Sequence, residues 1–144
     1  MKVYLAAPIS LKNEMQLWRR LIEESGRHPV VSRWIDIKSL SPFPYDDPRN
    51  FERFALNGLM DIEDVMASDV IVCYSAHIEG RQGGRDWECG MGFNAGKGII
   101  LVGPRRIVFH ALIPSERVVN TVEDAIQVLD RMQDAWDTQP GTRT

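Results

Sequence analysis

The chain has 144 residues, a formal net charge of −3 and 44% hydrophobic residues, enough for one domain with a real core and too few for two ordinary ones. Lysines and arginines are interspersed among the acids, so the basic stripe that polymeric nucleic acid requires is missing. No apolar run reaches the length of a membrane span, and Met1-Lys2-Val3-Tyr4-Leu5-Ala6-Ala7-Pro8 reads as a strand rather than the core of a signal peptide. A cytoplasmic protein with neither a nucleic-acid polymer nor a membrane as partner is the expectation.

Strand and helix signals alternate along the chain. Val3 to Ala7 is a short apolar run closed by Pro8, and Leu11 to Glu24 places Leu11, Met15, Trp18, Leu21 and Ile22 at helical spacing before the stop at Gly26. Pro29 to Ile35 reads as a second strand. Asp36 to Asn50, with Pro42, Pro44 and Pro48, reads as a long irregular loop, and loops of that length in a compact domain are usually functional or mobile. Phe51 to Ala67 gives a helix with Phe54, Leu59, Ile62, Val65 and Met66 on its apolar face, and Asp69 to Tyr74 is a continuous apolar run of the kind buried on both faces of a parallel sheet. A helix over Gly83–Lys97, a strand over Ile99–Val102, a weak element around Ile107–Leu112 and a short strand near Arg117–Val119 follow. The last helix runs from Thr121, an N-cap with Asp124 three residues on, to about Ala135. Residues 1–136 are therefore read as the domain and 137–144 as a flexible tail.

This alternation predicts a doubly wound, flavodoxin-like α/β domain: five parallel strands with helices on both faces. Ligands of such sheets bind beyond the carboxyl ends of the strands, which gathers Ala6–Ser10, Arg33–Asp36, Ser75–Gly84 and Gly103–Arg105 on one rim. The first loop lacks GxGxxG and nothing matches a phosphate-binding P-loop. Cys73 and Cys89 have no CxxC or Cys/His spacing, and His28, His77 and His110 are separated, so reduced thiols, no metal and no cofactor are expected.

One stretch carries most of the chemical information: Gly83-Gly84-Arg85-Asp86-Trp87-Glu88-Cys89-Gly90-Met91-Gly92, continuing to Gly96-Lys97. A glycine pair opens a helix and a carboxylate, Glu88, is read in its first turn, where free N–H groups and the helix dipole would hold it ionised beside a ligand. The bland reading of the same residues is turn chemistry and a dipole-favoured acid.

Together with Lys2–Pro8 and Asp61–Val72, this block resembles the nucleoside 2-deoxyribosyltransferase family, in the same order and at similar separations over roughly residues 2–103. Val30–Ile35, Gly103-Pro104-Arg105 and Val108-Phe109-His110 are similar to a phage and bacterial branch of that superfamily, which includes deoxynucleoside 5′-monophosphate N-glycosidases. The resemblance implies that Glu88 is the nucleophile, that Tyr4 touches it and that Asp61 meets the base. It also implies a nucleoside or nucleotide substrate, a free base as second partner and, with the apolar second helix, a closed homo-oligomer. Where the family often has aspartate, serine or asparagine six positions before the nucleophile, this chain has Gln82, an amide that hydrogen-bonds but cannot act as an acid.

The residue types suit the implied reaction. Breaking an N-glycosidic bond passes through an oxocarbenium-like state that a carboxylate stabilises or traps, and the departing base needs a proton from a second carboxyl. Glu88, Asp61 and Tyr4 are the catalytic candidates; Ala7, Pro8, Ser10, Arg33, Trp34, Gln82, Gly84 and Arg85 are the substrate-contact candidates. Ser10, Lys12 and Arg33 suit a 5′-phosphate, and Trp34, Phe43 or Tyr45 suit stacking on a base. Trp18, Trp87 and Trp136 are read as core or subunit-contact residues, and the histidines as surface or packing residues. The alternatives for the catalytic trio are a half-buried strand tyrosine and a solvated helix face at Asp61, Glu63 and Asp64. Three functions follow: base exchange on a 2′-deoxynucleoside, hydrolysis of a deoxynucleoside 5′-monophosphate, and non-catalytic nucleotide sensing.

Overall fold

The computed structural model describes residues 1–37, 47–76 and 83–138. Four parallel strands, β1 (Val3–Ala6), β2 (Val70–Tyr74), β3 (Gly98–Val102) and β4 (Val118–Val119), lie side by side in that order. β1 and the first four residues of β2 are completely buried because helices cover both faces, which is why these strands read as unbroken apolar runs rather than alternating ones. Alternate side chains of β2 separate the two layers. Tyr74 packs edge-on against Trp18 of α1 (Lys12–Glu23), and Val70 lies beside Met132 of α4 (Val122–Asp137) across Gly98. Ile71, on the opposite face, meets Gly92 of α3 (Gly84–Asn94), on which α2 (Pro48–Ala67) also packs.

The second predicted strand, Pro29–Ile35, is reduced to a single bridge between Val30 and Val3, so among the described residues the sheet has four strands rather than five. Side chains replace the missing ladder. Val3 N–H donates to Pro29 O and Val31 N–H to Val3 O, both at 2.9 Å. Leu5 N–H then donates to Ser32 Oγ at 2.6 Å, and the Trp34 indole donates to Leu5 O at 2.8 Å. With the backbone groups of β1 satisfied in this way, the chain is free to turn into a 3-10 helix at Arg33–Asp36. Counting the bridged segment, the lateral order remains that of a flavodoxin-like sheet.

Helix α2 starts earlier than its apolar pattern suggests. Asp47 caps it, accepting the Arg49 N–H at 2.9 Å, and Pro48 takes the first helical position, where its missing N–H has no consequence. At α4 the cap is the expected one, with Thr121 Oγ1 accepting the Asp124 N–H at 3.1 Å. The helix extends through Asp137, the first residue assigned to the tail; residues 139–144 of that tail lie outside the described residues. The weak element is a 3-10 helix, Val108–Leu112, pinned by Arg105, whose guanidinium donates to His110 O at 3.0 Å and Ile113 O at 2.8 Å.

Candidate active site

The register of the sheet places Tyr4 beside Ile71, on the face covered by α2 and α3. α3 approaches that face at Gly92, where a Cβ would stand 2.0 Å from Ile71 Cδ1, so a larger residue there would require the end of the Ile71 side chain to move. Glu88, one turn toward the helix N-terminus, falls on the same side of α3, and Asp61 of α2 reaches the same point. The three groups act on one another. Burial, then the Glu88 and Asp61 charges, push the Tyr4 phenol far above its ordinary range, so it is a neutral proton donor. Burial, then Asp61, push Glu88 up to about 8, against a smaller opposing effect of the Tyr4 hydroxyl. Burial, then Asp64, push Asp61 up to about 6, with Arg33 pulling the other way. Tyr4 Oη lies within reach of Glu88 without the alignment of a full hydrogen bond, and among the described residues Tyr4 Oη and Asp61 Oδ1 are both buried and unpartnered.

The state of Glu88 differs from the sequence expectation. α3 begins at Gly84, so the first-turn acid is Asp86 and Glu88 lies deeper. The dipole fades within the first turn, while burial against Tyr4 and the charge of Asp61 both favour the protonated acid.

The rim residues fall into three groups. Ala7 and Pro8 are half-buried just beyond β1, Ser10 is exposed on the 3-10 turn Ile9–Leu11, and Gly84 opens α3 with free space where a Cβ would stand. Arg85, Arg33 and Trp34 are committed to the protein. Arg85 donates to Tyr74 O at 2.9 Å and to Asp86 Oδ1 at 3.2 Å. Arg33 donates through its N–H and Nε to Asp64 at 2.8 and 2.7 Å, and through Nη2 to Glu63 at 2.8 Å. Trp34 is 5% exposed and belongs to the core, its indole engaged on Leu5 O. Gln82, with His77, Phe43 and Tyr45, lies outside the described residues. Asp64, buried and one turn from Asp61 on α2, is the site residue that sequence reading missed; its spacing of three from Asp61 was the available signal.

A groove of about 480 Å³ opens on the outer side of α3, away from Glu88, lined by Asp86, Trp87, Met91, Phe93, Phe109 and His110 among others. Among the described residues, no group of three or more histidine, cysteine or acidic side chains is placed to hold a metal ion, and no helix is long and apolar enough to cross a membrane.

Neither a family model nor a curated protein matches the chain, but solved structures do. A CMP N-glycosidase from Clostridium botulinum is 19% identical, with a TM-score of 0.57 over 91% of this chain and 99% of that one. A 2-deoxyribosyltransferase from Bacillus psychrosaccharolyticus is 18% identical, with a TM-score of 0.59 over 88% and 90%. The chain has the fold of these enzymes. A 2-desoxiribosyltransferase from Leishmania mexicana is more distant, 14% identical with a TM-score of 0.50 over 83% of this chain and 78% of that one. The likeness is one of architecture: a parallel sheet between two helical layers.

Proposed function

We propose that the protein cleaves the N-glycosidic bond of a 2′-deoxynucleoside with Glu88 as nucleophile and transfers the deoxyribosyl group to a second base. The observation that carries this reading is the meeting of Glu88, Asp61 and Tyr4 from three different elements, with both carboxyls raised above their ordinary range. A surface acid cluster has no such property, whereas a pair that shares one proton near neutrality can act as base and acid at once. In the productive form, the less populated arrangement of the shared proton, Glu88 is ionised and the proton is on Asp61. It passes to the departing base while Glu88 attacks the anomeric carbon, and the neutral Tyr4 phenol orients the Glu88 carboxylate. The incoming base then displaces Glu88 from the glycosyl ester and returns a proton to Asp61. No metal or cofactor takes part in this scheme.

A second reading is hydrolysis of a nucleoside 5′-monophosphate, supported by the likeness to the CMP N-glycosidase. It ranks lower because Arg33, the strongest candidate for a phosphate, is taken by Asp64 and Glu63. Phe51, Leu56, Leu59 and Met66 are exposed along α2 and support the expectation of a homo-oligomer. The deciding experiment incubates the protein with deoxyinosine or a deoxynucleoside 5′-monophosphate, with and without an acceptor base. A new nucleoside is the expected product; free base without a new nucleoside selects the hydrolase, and an unchanged substrate that nevertheless binds selects the sensor.

A further inference from the structure

Two thiols lie at the seam between β2 and the helix that carries Glu88, and the proposed reaction uses neither. Cys73 is in β2 and fully buried, while Cys89 is on α3 and lines the outer groove. α3 is the crossover between parallel β2 and β3, so it runs antiparallel to them. Gly92 is seated on Ile71. Two residues further along the strand climb about 6.6 Å, and three residues back along the helix climb about 4.5 Å, which brings Cys89 over Cys73. Both cysteines are free, and each is the largest influence on the other's proton.

The surroundings are not those of an inert pair. His110 is 3% exposed and helps hold the Cys73 proton down; its Nδ1 accepts the Arg106 N–H at 3.1 Å, and its Nε2 is buried and unpartnered among the described residues. Arg85 is drawn in nearby through its bond to Tyr74 O. The Cys89 S–H, with His110 and Arg85 behind it, holds the Cys73 thiol down to about 6 against its burial, while Cys73 and burial push the Cys89 thiol up.

We propose that Cys73 and Cys89 form a reversible disulfide site, oxidised by a hydroperoxide that enters through the groove on the outer side of α3. The peroxide meets Cys89, the thiol that lines the groove. Its sulfur attacks the near oxygen as Cys73 takes its proton, the O–O bond breaks, and the far oxygen leaves as water with a proton from solvent. Cys73 then displaces the hydroxyl from sulfenic Cys89, closing the S–S bond, and its own proton leaves with that hydroxyl as a second water. The two sulfurs have lost two electrons and the peroxide has gained them. The bond would tie α3 to β2 directly beneath Glu88, and it forms whatever reaction Glu88 supports.

The test adds hydrogen peroxide to the reduced full-length protein, alkylates the remaining thiols in denaturant and maps the peptides by mass spectrometry. The expected result is a linked peptide pair containing Cys73 and Cys89, absent before treatment and removed by dithiothreitol. His110→Gln should slow its appearance severalfold at neutral pH, and Cys89→Ser should abolish it. Should Cys89→Ser fail to fold, the wild-type peptide map decides alone. Two thiols still alkylated after peroxide, or Cys89 driven to sulfinic acid while Cys73 remains alkylatable, would overturn the proposal.

Discussion

The two sides of α3 differ in kind. On the sheet side Glu88 is packed among Tyr4, Asp61 and the thiols, with its proton held to about 8. On the outer side Asp86 sits in the first turn, bridged to Arg85 beside the exposed rings of Trp87 and Phe93. Both acids lie near one helix start, two residues apart. What separates them is the 100° turn per residue, which sends one toward a second acid in a buried cleft and the other toward a groove open to solvent. A carboxyl near a helix N-terminus is therefore not a reactive group by virtue of that position; burial and a neighbouring acid make it one.

Exchanging the acids one at a time is the strongest way to break this comparison. Glu88→Gln should lower turnover by roughly three orders of magnitude or more with the circular dichroism spectrum unchanged, while Asp86→Asn should cost less than about tenfold. Equal losses would erase the distinction between the two sides.

The proton shared by Glu88 and Asp61 sharpens it further. The profile of kcat/KM should be bell-shaped, falling below about 6 and above about 8, because only the form of the pair holding one proton contains both a nucleophile and an acid. Asp61→Asn should slow natural substrates about a hundredfold, slow a nucleoside with a good leaving group much less, and remove the alkaline flank. It should also move the acid flank below the wild-type Glu88 value, since the repulsion from Asp61 is gone. A wild-type profile flat from pH 5 to pH 9 would rule out the shared proton.

Stability should show the same site from the other direction. Glu88 is raised in the folded state, so between its ordinary value of 4.5 and about 8 the folded protein keeps a proton that the unfolded chain has lost, and stability falls as pH rises through that window. Glu88→Gln should thus be more stable than wild type by several kcal/mol, at most about 5, at pH 9 and indistinguishable from it at pH 4, as read by urea unfolding. A wild type that gains stability from pH 5 to pH 8 relative to the variant would contradict a raised Glu88.

The smallest effects belong to residues that hold the rim without facing the cleft. Trp34→Phe removes the bond to Leu5 O and should cost about 1 kcal/mol of stability. Arg33→Ala should alter the preference between a nucleoside and its 5′-monophosphate less than about threefold, because its guanidinium is already engaged. A large, salt-sensitive monophosphate preference that disappears in this variant would move the assignment to the hydrolase.

The sequence by itself determined the alternation of elements, the buried parallel strands and the cap at Thr121, because these rest on local periodicity and on side chains bonding to backbone a few residues away. It also brought Glu88 to the ligand rim through the order of strands and helices, whereas Tyr4 and Asp61 came from the family resemblance. The tertiary structure decided the rest. Pro29–Ile35 looks like a strand, yet Ser32 and Trp34 satisfy β1 with side chains, a substitution that only the packed neighbour reveals. Asp47 and Pro48 look like loop residues until the helix behind them is present to be capped. Arg33 reads as a free cation and finds Asp64, thirty-one residues away. The acidity of Glu88 is the clearest case: local position argued for ionisation, and the protonated form prevails because desolvation and the charge of Asp61 come from residues that meet it only when the chain has folded.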